Sequence, residues 1–109
     1  MKIIGTGRSH PSLVVNNEKL SQILDTSDEW ITSRTGIKER RIISSENLED
    51  LAIDAAKKAL SDANMDAKDL DYIICANVVN EFVSPAMSCI IREGSSAQTI
   101  SMSLYFPLL

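Results

Sequence analysis

The sequence contains few of the residues on which most catalytic and metal-binding sites depend. It has one histidine, two cysteines and one tryptophan in 109 residues, and aromatic residues make up only 5%. Cys75 and Cys89 lie in apolar segments and form neither a CxxC pair nor a zinc-type spacing. They are interpreted as buried thiols in a reducing compartment, and no metal site is expected.

Long apolar runs are also missing. No run approaches the ~20 apolar residues that a membrane-spanning helix needs, and the first residues do not form a secretory signal. We therefore expect a cytoplasmic protein with no membrane partner. The apolar fraction of 44% and the charged fraction of 24% are typical of a globular protein. A net charge of −4 argues against a nucleic-acid partner.

The charge is unevenly distributed along the chain. Residues 34–41 contain four basic residues and one acidic residue, for a sum of +3, and the rest of the chain sums to −7. A local basic patch on an acidic protein favours a small anionic ligand. A solvated charged loop is the alternative, and the charge pattern by itself leaves it open.

Alternating turn signals and periodic apolar residues predict a layered α/β fold. The predicted elements are a strand at 2–4, helices at 16–24 and 26–35, a strand at 40–43, a helix at 47–64, a strand at 72–76, a helix from Ser84-Pro85, and a strand near 100–106. The helix at 47–64 has an alanine-rich inner face, which predicts close approach by another element. The strand at 72–76 is continuously apolar, the pattern of a sheet covered on both faces.

The last residues differ from the rest. Residues 94–109 contain no acidic or basic residue, and apolar residues alternate there with polar ones. A two-residue period is typical of a half-buried strand. We divide the chain into an N-terminal segment of residues 1–92 and a divergent uncharged tail of residues 93–109.

A short helix near the N-terminus carries the only tryptophan. Trp30 and Arg34 are four residues apart and are neighbours on a helix surface, with Thr26 one turn earlier. An indole can stack on adenine, a guanidinium can bind phosphate, and a threonine hydroxyl can add a hydrogen bond. The alternative is that Trp30 anchors the core and Arg34 pairs with an acidic residue.

The residues around this helix resemble a known family. The run Ile3-Ile4-Gly5-Thr6-Gly7, the block at 25–37 with its Ser-Asp-Glu-Trp-Ile-x-x-Arg-Thr-Gly-Ile core, and the pair Arg40-Arg41 resemble the N-terminal part of β-ketoacyl-acyl carrier protein synthase III. The resemblance covers about residues 2–92. It implies an α/β fold that is a partial thiolase-like fold, the N-terminal part of one α-β-α-β-α half.

The resemblance also implies a reaction, ligands and partners. In fatty acid biosynthesis this family transfers an acyl group from coenzyme A to a cysteine, then condenses it with malonyl-acyl carrier protein. The expected partners are an acyl-CoA substrate, acyl carrier protein and a second copy in a homodimer, with no permanently bound cofactor. The family residues that hold the coenzyme A nucleotide fall on Thr26, Trp30 and Arg34.

No catalytic residue carries over. The family motif Asp-x-x-Ala-Ala-Cys is expected near the end of this chain, where residues 101–109 contain no cysteine, and the family histidine and asparagine lie further along. The chain is therefore expected to be inactive alone, and a frameshift or premature end is our hypothesis. Reading the DNA in the other two frames tests it. The alternatives are a non-catalytic binding or oligomerisation module and a small enzyme that uses Cys89.

Overall fold

The structure is a computed structural model that describes residues 1–77 and 85–98, and the backbone of 100–105. In chain order the elements are β1 (Leu13–Asn16), α1 (Asn17–Ser21), α2 (Asp28–Thr35), β2 (Glu39–Ile42), α3 (Leu48–Asp62), a 3-10 turn (Ala67–Asp69), β3 (Tyr72–Asn77), α4 (Met87–Gly94) and β4 (Ile100–Tyr105). They form two compact units. One is His10–Asn47, and the other joins Met1–Ser9 to Leu48–Leu109.

The smaller unit is built on an antiparallel pair of strands. β1 pairs with β2 from Leu13 opposite Ile42 to Asn16 opposite Glu39. The sequence predicted β2, whereas β1 was missed because its four residues lack a clear two-residue period. α1 begins where the Asn16 side chain accepts a hydrogen bond from the Lys19 backbone N–H at 2.9 Å.

The prediction that α1 reaches Leu24 is wrong, since the helix ends at Ser21. Ile23 is 76% exposed and Leu24 is 56% exposed, so the last predicted turn has no apolar surface to pack against. A helix this short depends on such packing because isolated helices are marginal in water. The chain continues instead through turns to Thr26, whose backbone N–H donates to the Leu24 carbonyl.

The larger unit contains a strand–helix–strand arrangement. β3 and β4 are parallel, from Tyr72 opposite Ile100 to Asn77 opposite Tyr105, and α4 lies between them in the chain. The alternation near 100–106 predicted a strand, and the structure has one at Ile100–Tyr105. The division at residue 92 stays a prediction. α4 packs closely on α3. The two helices approach so closely at Gly94 that an added Cβ would lie 2.4 Å from the Ile53 side chain.

Residues 1–9 lie against the alanine face of α3. A Cβ on Gly7 would lie 2.2 Å from the Ala55 carbonyl oxygen, and one on Gly5 would lie 2.8 Å from the Ala63 Cβ. This close approach was expected from the sequence. The prediction of a strand at residues 2–4 is wrong. These residues lie along α3 and do not pair with any strand, and Ile3 is 78% exposed.

The start of α4 lies later than predicted. Ser84 lies outside the described residues, and the helix begins at Met87, after Pro85. Ala86 has an extended backbone, with ψ at 149°, so a helix cannot include it. None of the helices in the described part of the chain has the length and apolar content needed to cross a bilayer.

The described residues bury little apolar surface. Ile31, Met87 and Ala97 are the buried hydrophobic residues among them, and α3 buries none of its side chains. β3 was expected to be covered on both faces, but its residues alternate between exposed and half-buried. Tyr72 and Ile74 are 59% and 62% exposed, as expected if half of a pseudo-symmetric fold leaves apolar surface open.

The pH dependence of stability tests the contribution of a hydrogen-bonded carboxylate, Glu46, in the smaller unit. The Ser12 hydroxyl and N–H, followed by the backbone N–H groups of Glu46 and Ser44, lower the pKa of Glu46 from 4.5 to about 2. A lowered folded-state pKa contributes stability that is present above pH 4.5 and is lost as the pH falls toward 2. The unfolding free energy of Glu46→Gln should therefore fall less over this pH range than that of the unchanged chain. Urea unfolding at each pH measures the difference.

Glu39→Gln is the matched control, since it removes an exposed carboxylate from the same unit. It should leave the acid dependence close to that of the unchanged chain. Equal flattening by both substitutions would show that general charge reduction, rather than the Ser12–Glu46 contact, causes the effect.

Candidate functional site

The helix that carries the candidate residues has well-defined ends. The Ser27 side chain accepts a hydrogen bond from the Trp30 backbone N–H at 3.1 Å, which caps the start of α2. Gly36 closes its end in a left-handed conformation, with φ at 70°, and donates to the Thr32 carbonyl at 2.9 Å. The helix predicted at 26–35 therefore begins two residues later than predicted and ends where predicted.

A buried asparagine ties this helix to its surroundings. Asn17 is 1% exposed, and its side-chain N–H groups donate to Asp28 Oδ1 and to the Ile37 carbonyl, both at 2.7 Å. Its side-chain oxygen accepts from Arg40, and its backbone N–H donates to the Lys38 carbonyl at 3.2 Å. One side chain therefore links the first residue of α2, the loop after α2, and β2.

The charge on Asp28 belongs to the same network. The hydrogen bond from Asn17, then the one from the Thr32 hydroxyl at 3.1 Å, lower the pKa of Asp28 below its usual range. The carboxylate stays ionised at the start of α2, where the helix dipole favours negative charge. The sequence pattern did not identify this role of Asn17, because hydrogen bonds spanning 11 to 23 residues leave no local pattern.

The structure brings two of the three candidate residues into contact. Trp30 is 55% exposed, and the Arg34 guanidinium carbon lies 4.9 Å from the centre of the indole ring. This is the geometry of a cation–π contact, which contributes about 0.5–1 kcal/mol at an exposed site. The interpretation of Trp30 as a core anchor is therefore wrong. The indole and the guanidinium share one exposed flank of α2.

Thr26 lies beside a small cleft next to the same ring. The cleft has a volume of about 240 Å³ and is lined by Asp25, Thr26, Ser27 and Trp30. The Thr26 hydroxyl oxygen is buried and has no hydrogen-bond partner in the described part of the chain. A buried polar atom without a partner costs about 1–3 kcal/mol.

The remaining candidates for chemistry are placed elsewhere. Burial raises the pKa of the Cys75 thiol, which disfavours the nucleophilic thiolate, and its sulfur lies 3.9 Å from Asn77 Oδ1. Cys89 is half-buried in α4, and His10 is exposed before β1. Within residues 1–77 and 85–98, no cluster of three or more His, Cys, Asp or Glu side chains could hold a metal ion.

Comparison with known proteins identifies the family. No family model matches the chain. It is 47% identical over 98 residues to β-ketoacyl-[acyl-carrier-protein] synthase III of Clostridium acetobutylicum, covering 90% of this chain and 30% of the relative. It is 50% identical over 94 residues to that of Pseudoalteromonas atlantica, covering 85% of this chain and 30% of the relative.

Solved structures agree with the sequence comparison. The crystal structure of 3-oxoacyl-[acyl-carrier-protein] synthase III from Aquifex aeolicus superposes with a TM-score of 0.86 at 43% identity, over 94% of this chain and 34% of that one. The chain is similar to the N-terminal part of β-ketoacyl-[acyl-carrier-protein] synthase III. It corresponds to an N-terminal part of that thiolase-like fold and spans about 30% of the length of the curated relatives it matches.

Removal of the buried asparagine tests the support of the site. Asn17→Ala should lower the unfolding free energy by roughly 2–3 kcal/mol, because the Ile37 carbonyl and the Arg40 guanidinium lose a buried partner. Urea unfolding measures the loss. Asn16→Ala is the matched control: it removes only the cap of α1 and should cost about 1 kcal/mol. Equal losses from the two substitutions would contradict a special role for Asn17.

Proposed function

We propose that this chain contributes part of the coenzyme A site of a synthase III enzyme, which condenses an acyl-CoA starter with malonyl-acyl carrier protein in fatty acid biosynthesis. The exposed Trp30 ring, with Arg34 against it and the unpartnered Thr26 hydroxyl beside it, carries the proposal. Stacking on an indole suits a nucleotide base, and a guanidinium suits its phosphates.

The charges around the ring orient the proposed nucleotide. Asp25 lines the cleft, and Asp28 and Glu29 occupy the first turn of α2, so this end repels phosphate and accepts an uncharged base. The other end carries Arg34 in the last turn of α2, and exposed Lys38 follows in the loop. The base therefore lies toward Thr26 and the phosphates lie toward Arg34.

Arg34 has two roles in this proposal. In the free protein its guanidinium stacks on the Trp30 ring, and with ligand bound it pairs with phosphate. The exposed stack is weak enough to give way, because a charge-assisted hydrogen bond contributes about 1.5–3 kcal/mol. A nucleoside without phosphate gains nothing from the guanidinium and competes with it for the ring.

Binding and condensation are separable in this proposal. Condensation needs a thiolate to carry the acyl group and groups that stabilise the developing carbanion. The family residues for these roles match no position of residues 1–109, so we expect this polypeptide to bind acyl-coenzyme A without condensing its acyl group with malonyl-acyl carrier protein. An acyl transfer that depends on Cys89 would contradict this expectation.

Arg34→Gln tests the phosphate contact. It should weaken the binding of 3′,5′-ADP by about tenfold through loss of a charge-assisted hydrogen bond, while adenosine binding is unchanged or tighter. Isothermal titration calorimetry measures both ligands, and quenching of Trp30 fluorescence gives a second reading for the unchanged chain. Arg41→Gln is the matched control, because Arg41 is exposed and donates only a long hydrogen bond to the Pro11 carbonyl. Equal weakening by both variants would indicate nonspecific attraction to the basic segment.

Thr26→Val tests the base contact. The substitution keeps the shape and removes a hydroxyl without a described partner, so the unfolding free energy should not fall. Adenosine binding should weaken by about fivefold to tenfold, the value of one neutral hydrogen bond. Thr32→Val is the control. The Thr32 hydroxyl donates to Asp28 within the protein, so this substitution should lower the unfolding free energy and leave adenosine binding unchanged. Unchanged adenosine affinity in Thr26→Val would remove Thr26 from the site.

A further inference from the structure

The helix α2 has hydrogen bonds on one side and the proposed nucleotide-binding side chains on the other. Asp28 bonds to buried Asn17, and Ile31 is 8% exposed, so these residues mark the inner side of the helix. Trp30 and Arg34 are two and six residues beyond Asp28, which places both roughly on the opposite side. The rotation of α2 about its axis therefore decides where the indole and the guanidinium point.

Apolar packing does little to fix that rotation. Within α2, which the structure describes in full, Ile31 is the buried residue, and burial of apolar surface has no directional preference. Hydrogen bonds do have one, because they weaken steeply when donor and acceptor are misaligned. The side-chain hydrogen bonds on the inner side therefore hold the helix in one rotation.

The hydrogen bonds of Asn17 connect a negative and a positive side chain. Its amide N–H donates to Asp28 Oδ1 at 2.7 Å, and its amide oxygen accepts from the Arg40 guanidinium. Asn17 is 1% exposed, so water has little access to its amide group. The bond from Asn17 is the main cause of the lowered pKa of Asp28, whose carboxylate stays ionised. Both bonds are therefore charge-assisted, which makes them stronger than bonds between neutral groups.

Arg40 anchors these bonds to the strand pair. It lies on β2, opposite Val15 of β1, so its backbone belongs to the antiparallel ladder. Its Nη1 is buried and has no hydrogen-bond partner in the described part of the chain. The guanidinium therefore has a second donor available beside Asn17, and a carboxylate at position 17 could accept from both nitrogens.

We propose that Asn17 and Arg40 are positioning residues for the nucleotide site, which hold α2 in the rotation that turns Trp30 and Arg34 outward. Neither residue needs to touch the ligand. The inference rests on the proposed coenzyme A site and adds two residues that control its affinity. A residue that served folding alone would change only the fraction of folded chains, whereas a positioning residue also changes the affinity of the folded ones.

Asn17→Asp tests the proposal by breaking the link to α2. It replaces the amide donor with a carboxylate next to that of Asp28, so the two groups repel each other. Binding of 3′,5′-ADP should weaken about tenfold, measured by isothermal titration calorimetry on chains that circular dichroism shows to be folded. Without ligand, time-resolved fluorescence anisotropy should show wider motion of the Trp30 ring than in the unchanged chain.

The double variant Asn17→Asp/Asp28→Asn should restore both properties. In this variant the helix carries the amide, and position 17 carries a carboxylate that accepts from it and from Arg40. The net charge equals that of the unchanged chain. The Ile37 carbonyl loses its side-chain donor in the single and the double variant alike, so the recovery reports on the exchanged pair. We expect an affinity within about threefold of the unchanged chain.

Two further variants complete the experiment. Arg40→Lys gives a second test if Asn17→Asp does not fold: it keeps the charge but loses the fork-shaped guanidinium, and should weaken 3′,5′-ADP binding about threefold. Asn16→Asp is the matched control, because it adds the same charge at the neighbouring residue and aspartate also caps a helix. It should leave both the affinity and the anisotropy unchanged.

The two proposals can fail separately. If the unchanged chain does not bind 3′,5′-ADP, the proposed nucleotide site is wrong, and the Trp30 anisotropy still decides the positioning role. The positioning role is wrong if the folded variants of Asn17 and Arg40 match the unchanged chain in affinity and anisotropy. It is also wrong if the double variant recovers neither property, or if Asn16→Asp has the same effect as Asn17→Asp.

Discussion

The candidate site depends on the hydrogen bonds of Asn17. This buried side chain joins Asp28 at the start of α2, the Ile37 carbonyl just after its end, and Arg40 on β2. α2 itself has little apolar surface to hold it, since Ile31 is its one buried residue. Polar contacts therefore do for this helix what core packing does for most helices, and they are worth more because they are shielded from water.

Once α2 is held, its periodicity arranges two of the three candidate residues. Arg34 is four residues after Trp30, so these two lie along one flank of α2. Thr26 precedes the cap residue Ser27 and lines the same cleft as Trp30. The indole is left exposed, and the Arg34 guanidinium rests on it. The Thr26 hydroxyl is buried without a partner in the described part of the chain. A buried hydroxyl without a partner costs stability.

The larger unit depends on a different constraint. Gly5 and Gly7 let residues 1–9 lie directly on α3, and Gly94 lets α4 approach Ile53. These contacts lie along the alanine face of α3 but leave the apolar side chains of β3 open. Tyr72 and Ile74 are 59% and 62% exposed. The chain spans about 30% of the length of the curated relatives it matches.

The sequence by itself determined the local features: the caps of α2, the length of α3, the apolar run of β3, and the Thr26, Trp30 and Arg34 series. Each follows from interactions between residues a few positions apart, as does the family resemblance, which depends on short runs. Only the tertiary structure decided the role of Asn17, the exposure of Trp30, the path of residues 1–9 and the open face of β3. These features depend on contacts between residues that are distant in the chain, and periodicity carries no information about such contacts.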